Sequence, residues 1–192
     1  MIHIILLGPP GSGKGTQAKI IANQFNFVQL STGIIFRNHM KKKTNLGVIV
    51  EYYIKRGLLV PDNITIKIIK HEFKKIIPSK GIIYDGYPRT VNQAIKLDNF
   101  LKNSFLGRIS ITFSFIIKDN ILIQRLLKRG KISNRIDDLN KEIIYKRLIE
   151  YYKKTKLVSD YYKNNNILIE INADDSIENI NKYINKYINK YI

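Results

Sequence analysis

The sequence predicts an α/β protein built on a doubly wound sheet of five parallel strands, with a helical insertion. Three observations carry this prediction. Five short apolar runs, at 2–7, 27–30, 81–86, 109–117 and 167–171, are separated by stretches with the three-to-four-residue spacing of helices. The first run feeds directly into a glycine-rich turn, the junction that joins a buried strand to a helix in such sheets. From Ile34 to about Lys75 there is no strand pattern, only helical stretches, so this part stands outside the sheet. A chain of 192 residues suffices for one well-buried core and a small insertion, not for two full domains.

Taken in order, Ile2-His3-Ile4-Ile5-Leu6-Leu7 is the unbroken run of a strand buried on both faces. Gly8-Pro9-Pro10-Gly11-Ser12-Gly13-Lys14-Gly15-Thr16 follows. Its glycines let the chain turn so tightly that successive N–H groups converge, making a concavity for phosphate. Lys14 reaches the β and γ phosphates as a point charge, and the helix opening near Gly15 adds the partial positive charge of its N-terminus. The spacing G-x-x-x-x-G-K is that of a P-loop, which makes the sheet one of P-loop NTPase type. Gly15 stands where most P-loops have the hydroxyl residue that holds Mg²⁺, with Thr16 one place later. The ending Gly-Lys-Gly-Thr points away from GTPases and motor ATPases, toward the small kinases that phosphorylate nucleoside monophosphates.

Gln17 to Phe25 carries Ala18, Ile20, Ile21, Ala22 and Phe25 at helical spacing, and Phe27 to Leu30 is the second strand. Ser31-Thr32-Gly33 lies at that strand's carboxyl end, where open α/β sheets bind ligands. The insertion is predicted to break at Asn45-Leu46-Gly47, at Gly57 and at Pro61-Asp62, with Asp62 as N-cap of a helix that runs to Ile77 and is stopped by Pro78. Gly81 to Gly86 is a third buried strand ending in an acid, Asp85, where a carboxylate commonly serves Mg²⁺. A helix after Pro88 carries Val91, Ala94, Ile95, Leu97 and Leu101. The longer strand Ile109 to Ile117 alternates with Ser110, Thr112 and Ser114, and Asp119 is expected to cap a helix from Asn120 to Lys128. A short polar turn, Gly130 to Asp138, leads into a long amphipathic helix ending near Tyr162, and Ile167 to Ile171 completes the sheet. Three copies of Asn-Lys-Tyr-Ile between Asn181 and Ile192 place an apolar stripe on a last packing helix whose final turn is expected to fray; a four-residue unit is too short for a repeat architecture.

Composition narrows the classes. With no cysteine there is no disulfide, no thiol nucleophile and no cysteine zinc site, which suits a reducing interior. The first apolar run is too short for a secretory core, and no apolar stretch approaches the roughly 20 residues of a membrane span, so a soluble cytoplasmic protein with no membrane partner is expected. The net charge of +18 would ordinarily suggest nucleic acid. Here, however, 25 Lys and 8 Arg are scattered over every segment, with Asn, Ile and Tyr also abundant. That is a bias acting everywhere rather than a built patch, so no specific nucleic-acid partner is expected, though polyanions should bind non-specifically at low salt.

Two further motifs are Leu30-Ser31-Thr32-Gly33-Ile34-Ile35-Phe36-Arg37 and Asp85-Gly86-Tyr87-Pro88-Arg89-Thr90, the latter with Gln93 one helical turn on. Together with the Gly-Lys-Gly-Thr loop, the Gly57-Leu58-Leu59-Val60-Pro61-Asp62 turn, the arginine-rich stretch and the Tyr161-Tyr162 end of the long helix, they make the chain resemble the adenylate kinase family over nearly its whole length. The resemblance implies transfer of the γ-phosphoryl of ATP to AMP, ATP + AMP ⇌ 2 ADP, by a monomer, with Mg²⁺ accompanying the ATP. It also implies an NMP-binding insertion at Ser31 to Val60 and a lid at Arg129 to Leu139, too short for anything but the brief form of lid. Without cysteine, a zinc-bearing lid is excluded.

Such a transfer needs no general base, because the attacking phosphate oxygen is already ionised; it needs charge neutralisation, alignment and exclusion of water. By resemblance, ATP lies on Gly11, Ser12, Gly13, Lys14, Gly15 and Thr16, with Arg125 along its side. Arg37 and Arg89 would hold the AMP phosphate, Arg129 the ATP phosphates, and Arg135 and Arg147 the phosphoryl group in transit, so that Lys14, Arg89, Arg129, Arg135 and Arg147 form the catalytic set. Thr32, the backbone of Leu58, Leu59 and Val60, and Gln93 match positions that contact the AMP sugar and adenine, and Gly86, Tyr87 and Pro88 of the following turn are expected to bind AMP with them. A glutamine amide offers the donor and acceptor that an adenine edge asks for. Asp85 matches the acid that meets Mg²⁺ through water, and Asp137 and Asp138 look like lid carboxylates that meet the nucleotide or pair with lid arginines on closure, although a plain solvated turn accounts for them equally well.

Six of the eight arginines thus fall on motif positions in a chain that otherwise uses lysine, and planar bidentate recognition of phosphate is a reason for the exception. The chain departs from the family pattern at Ile34, where an aspartate is usual, at Asn134, in place of a lid glycine, and at Lys156, in place of a proline. The second departure is expected to stiffen the lid, since Asn reaches positive φ less freely than Gly. His3, His39 and His71 match no motif and are expected to pack or to face solvent. A UMP/CMP kinase on the same fold would typically have Ala at Thr32 and another reader at Gln93, so these residues favour AMP. A nucleic-acid-associated protein with a regulatory nucleotide site would concentrate its charge on one face, which the sequence does not do.

Overall fold

A computed structural model of the chain describes residues 1–76 and 79–192. Strand β1 (Ile2–Leu7) is the centre of the sheet, flanked on one side by β3 (Gly81–Asp85) and then β2 (Val28–Ser31), and on the other by β4 (Ile111–Ile116) and then β5 (Leu168–Asn172). All four pairings are parallel, with Ile4 beside both Ile83 and Ile111. The five predicted strands are therefore present in the predicted class of sheet, β1 with the bounds expected and the other four with ends shifted by a residue or two.

Alternation along β1 sorts the core into two faces. Ile4 and Leu6 point to the side covered by α1 (Lys14–Phe25) and the last helix, α10 (Ile177–Ile188), which contribute Ala18, Ile21, Ile180, Ile184 and Ile188. Ile5 and Leu7 point to the other side, covered by α4 (Asp62–Phe73), α5 (Val91–Asn103) and α9 (Lys156–Asn164), through Ile69, Phe73, Leu97, Val158 and Tyr162. The Asn-Lys-Tyr-Ile turns form the packing helix expected of them. Ile180, Ile184 and Ile188 make its stripe, and Asn181 donates to Gln17 Oε1 at 3.3 Å while Gln17 donates to Ile177 O at 2.8 Å.

The insertion has a small core of its own. In α2 (Thr32–Lys41) and α3 (Asn45–Ile54), Phe36 and Val50 pack with Val60, away from both faces of the sheet. The predicted break at Asn45 to Gly47 lies instead at Lys42 to Thr44. Thr44 caps α3 by accepting from Gly47 N, and Gly47 sits so close to the His39 carbonyl, at 2.2 Å from an added Cβ, that its place inside a helix is set by packing. Asp62 does not cap α4. Pro61 holds the N-cap position, and the Asp62 carboxylate reaches across to α5. The predicted end of this helix at Ile77 and Pro78 falls outside the described residues.

Three further expectations are corrected. Ile95 is exposed on α5, whose buried face is Gln93, Ala94, Leu97 and Leu101. Asp119 is in the first turn of α6 (Asp119–Ser133) rather than at its cap, and accepts from Tyr152 Oη at 2.5 Å. α6 runs on past Lys128 to Ser133, so Arg129 is helical and only Asn134 and Arg135 separate it from the single turn α7 (Ile136–Leu139). Asn134 itself adopts φ 49°, so it takes the left-handed conformation a glycine would supply there. The long helix after α7 is α8 (Lys141–Glu150), a π-helical turn (Tyr151–Thr155) and then α9.

Candidate active site

The carboxyl ends of β1, β2 and β3, the insertion and the α6–α8 region enclose a cleft of about 810 Å³. On its floor is the turn from β1 to α1. Gly13 is the N-cap of α1 with φ 92° and open space where a Cβ would stand, so the requirement there is for backbone conformation alone. α1 starts at Lys14, one residue before the expected opening. The Lys14 ammonium donates to Gly8 O at 2.5 Å, Pro9 O at 2.7 Å and Ser12 Oγ at 3.2 Å, which folds the lysine over the loop. Burial lowers its pKa to about 7; the Asp85 charge opposes this, while Arg89, Arg129 and Arg147 add to it. An ammonium so placed is short of negative charge, and a polyphosphate would supply it.

Asp85 ends β3 opposite Ser31, its register partner on β2. Its Oδ2 accepts from Ser31 Oγ at 2.9 Å and Gln29 Nε2 at 3.1 Å, and lies 3.5 Å from where a Cβ of Gly15 would be. Gln29 was not singled out from the sequence; its position on alternate register from Leu30 is the signal that could have found it. A nucleotide-borne Mg²⁺ is held mainly by phosphate and water oxygens. Asp85 fits such an ion, since it is a hard-oxygen carboxylate beside the loop with both neighbours bonded to Oδ2, so that Oδ1 has no hydrogen-bond partner among the described residues. Among the described residues there is no group of three or more His, Asp or Glu arranged around a metal position.

All six motif arginines, Arg37, Arg89, Arg125, Arg129, Arg135 and Arg147, line the one cleft, although they come from α2, the β3–α5 turn, α6, α7's N-cap and α8. The other two arginines are not in it; Arg56 stacks on Tyr52, 3.7 Å from the ring centroid. Burial lowers the pKa values of Arg37, Arg89 and Arg135, the last to about 10, with neighbouring arginines adding to the effect. That clustering of like charge needs a counterweight. Asp138, wholly buried, takes two bonds from Arg129, at 2.6 and 3.0 Å, and one from Arg147 at 2.6 Å; Asp137 Oδ2 is 3.0 Å from Arg147. Burial works to raise the Asp138 carboxyl, but the arginine hydrogen bonds and charges outweigh it and hold it below the ordinary carboxylate value. Asp137 and Asp138 are thus buried and paired with arginines rather than forming a solvated turn. Gly130 permits this closeness, because a Cβ on it would meet Asp138 O at 2.7 Å.

Arg89 is held by its own turn. Its Nε donates to Gly86 O at 2.7 Å, Thr32 Oγ1 donates to the same carbonyl at 2.7 Å, and Thr155 Oγ1, from the π-helical turn, donates to Arg89 O at 3.0 Å. π turns recur at functional sites, and nothing in the sequence marks this one. Gln93, almost wholly buried, still lines the cleft: Oε1 accepts from Arg89 N at 2.8 Å and Nε2 donates to Asp62 Oδ1 at 2.7 Å. Thr32, Leu58, Leu59, Val60, Gly86 and Pro88 line the same space, as do Gly11, Ser12, Gly13, Gly15 and Thr16 on the loop side. Tyr87 does not line the cleft. It is buried behind the turn, and its hydroxyl donates to Gln93 O at 3.3 Å. The position of Ile34, 45 % exposed at the cleft, shows the missing carboxylate replaced by nothing of like charge nearby on α2.

Comparison with known proteins agrees with this geometry. The adenylate kinase family model matches residues 6–167. An adenylate kinase of Flavobacterium psychrophilum is 44 % identical over 182 residues, covering 95 % of each chain. One from Azobacteroides pseudotrichonymphae is 44 % identical over 180 residues, covering 94 % of this chain and 93 % of its own. A third, from Clostridium botulinum, is 37 % identical and covers 93 % of this chain and 94 % of its own. The family model covers most of the chain and these relatives match it over nearly their whole length, so the chain belongs to the adenylate kinase family.

Proposed function

We propose that the chain catalyses ATP + AMP ⇌ 2 ADP, and that the observation carrying this reading is the convergence of Lys14 and six arginines from five separate elements on one cleft. Two nucleotides bring many phosphate charges together, and only a site of this sign and density would hold both. The bond that forms joins an AMP phosphate oxygen to the γ phosphorus, and the bond that breaks joins that phosphorus to the β–γ bridging oxygen of ATP. The attacking oxygen carries no proton, so no residue need act as base. Lys14 and Arg129 would neutralise the β and γ phosphates, Arg37 and Arg89 would orient the AMP phosphate, and Arg135 and Arg147 would meet the group in transit, with Arg125 along the ATP. Asp85 would hold, through water, the Mg²⁺ that accompanies ATP, and that ion would supply further shielding of the phosphate charge.

Thr32, the Leu58 to Val60 backbone and Gln93 would receive the AMP sugar and base. The insertion 31–60 and the lid 129–139 would close over both nucleotides, because transfer to AMP must exclude water or ATP would be hydrolysed. Every group this needs lies in one chain, which supports a monomer, and the absence of cysteine suits a cytoplasmic setting. No helix among the described residues is long and apolar enough to cross a membrane. A coupled assay with ATP and each of AMP, CMP, UMP and GMP tests the reading: AMP should be the best acceptor by a wide margin. A preference for CMP or UMP would replace it with a pyrimidine-nucleotide kinase.

A further inference from the structure

The proposed reader of adenine, Gln93, has a side chain whose two ends look alike in shape and opposite in chemistry. An amide turned over by 180° presents a donor where it had an acceptor. Which way Gln93 faces therefore decides which base it accepts. Adenine offers an amino donor beside a ring-nitrogen acceptor, whereas a 6-oxo purine offers a carbonyl acceptor beside an N–H donor.

Two neighbours bear on the orientation. The backbone N–H of Arg89 is only a donor, and Gln93 Oε1 accepts from it at 2.8 Å. Asp62 is a carboxylate, only an acceptor, and Gln93 Nε2 donates to its Oδ1 at 2.7 Å. Both demand the same orientation, and together they leave one N–H and one lone pair of the amide without a hydrogen-bond partner among the described residues, on a side chain that lines the cleft. Asp62 is itself held. Its Oδ2 accepts from Thr90 Oγ1 and Asn92 Nδ2, each at 2.8 Å, and Thr90 Oγ1 in turn caps α5 by accepting from Gln93 N at 3.1 Å. Three donors of one helix start thus converge on a carboxylate that enters from the first residue of α4, directly after the insertion.

We propose that Asp62 is a positioning residue for acceptor specificity, fixing the Gln93 amide so that it fits a 6-amino purine and not a 6-oxo purine. This rests on Gln93 being the base reader. Asp62 does not line the cleft, so its effect passes through Gln93.

The test compares AMP with inosine monophosphate, which differ only at the 6 position and N1, by kcat/KM at saturating ATP. In Asp62→Leu the AMP preference should fall about tenfold, the size of one hydrogen bond of specificity, through the KM for AMP, with the KM for ATP and kcat within about twofold of the native values. Asp62→Ala serves as a second variant lacking the acceptor, should the leucine prevent folding. Asp62→Asn keeps an oxygen for Gln93 Nε2; its nitrogen can donate to Thr90 Oγ1, and the exposed Asn92 amide can turn over so that it no longer points a donor at that nitrogen, so it should stay within about threefold of native preference. In a Gln93→Ala background, Asp62→Leu should change the preference no further. An undiminished preference in folded Asp62→Leu or Asp62→Ala, with the preference lost in Gln93→Ala, would overturn the positioning role and leave the reader in place. An undiminished preference in Gln93→Ala would overturn the reader and the positioning role together. Equal losses for both nucleotides and for ATP would mean that Asp62 is only a structural link.

Discussion

Replacing Asp138 by Asn should destabilise the protein chiefly when no nucleotide is bound. The carboxylate is wholly buried and takes three hydrogen bonds, two from Arg129 and one from Arg147. Asparagine keeps the shape but removes the charge, and it turns one acceptor into a donor that faces a guanidinium. Removing one partner of a fully buried ion pair costs about 3–5 kcal/mol. The Arg129 and Arg147 side chains, however, keep 34 % and 18 % of their exposure, so water recovers part of the loss. A cost of about 2 kcal/mol is then expected, which for a chain of this size lowers the Tm by about 4–8 °C. With a saturating bisubstrate mimic of two linked adenosines, phosphates supply the missing negative charge to the same arginines. The difference in Tm between variant and native protein should then shrink to less than half, as read by scanning calorimetry with and without the mimic. An equal fall in both conditions would show that phosphate does not take over these arginines. No fall without the mimic would show that the carboxylate is not balancing them.

Other predictions follow from the same geometry. Lys14→Ala should leave the fold intact, since the ammonium bonds only to its own loop, but reduce turnover by a factor of about 10² to 10³; near-normal turnover would remove the loop from the mechanism. In hydrogen exchange, the mimic should protect both 31–60 and 129–139, and AMP alone chiefly the first; unchanged exchange at 129–139 with the mimic would mean that this segment does not close. His3 is fully buried with Nδ1 3.0 Å from Tyr84 Oη and Nε2 3.0 Å from Leu106 O, and burial lowers its pKa below 6.5. The unfolded chain therefore binds a proton that the folded one resists, so stability should fall as pH drops below about 6.5 and stop falling once the folded value is passed. Urea unfolding at several pH values should show that slope in the native protein and not in His3→Leu.

What the sequence made legible was whatever lies in local pattern. The run Ile2–Leu7 marks the central strand because it is apolar but for His3 and leads straight into the glycine-rich turn, and Gly13 with Lys14 marks the loop because the turn itself demands those residue types. The arginines were legible because they stand out against lysine. What escaped were contacts between distant segments. Asp62 reads as a cap next to Pro61, yet its partners on α5 are about thirty positions away. Asp119 was misread for the same reason, its partner being Tyr152. The extension of α6 to Ser133 goes against a glycine at 130, whose helix propensity is poor; close packing on Asp138 overrides it. Asn134, expected to stiffen the lid because Asn reaches positive φ less freely than Gly, holds φ 49° there, a conformation Asn adopts at lower cost than most residues. Tyr87 sits inside a motif that lines the cleft but packs behind it, since alternate residues of such a turn face opposite ways.

The central claim is that phosphate passes from ATP to AMP and not to water. Phosphorus NMR of the purified protein with equal ATP, AMP and Mg²⁺ follows every species at once. Loss of the ATP and AMP signals in step, two ADP formed for each pair consumed and no inorganic phosphate beyond the background rate, is the predicted result. Release of inorganic phosphate with the AMP signal unchanged would contradict it.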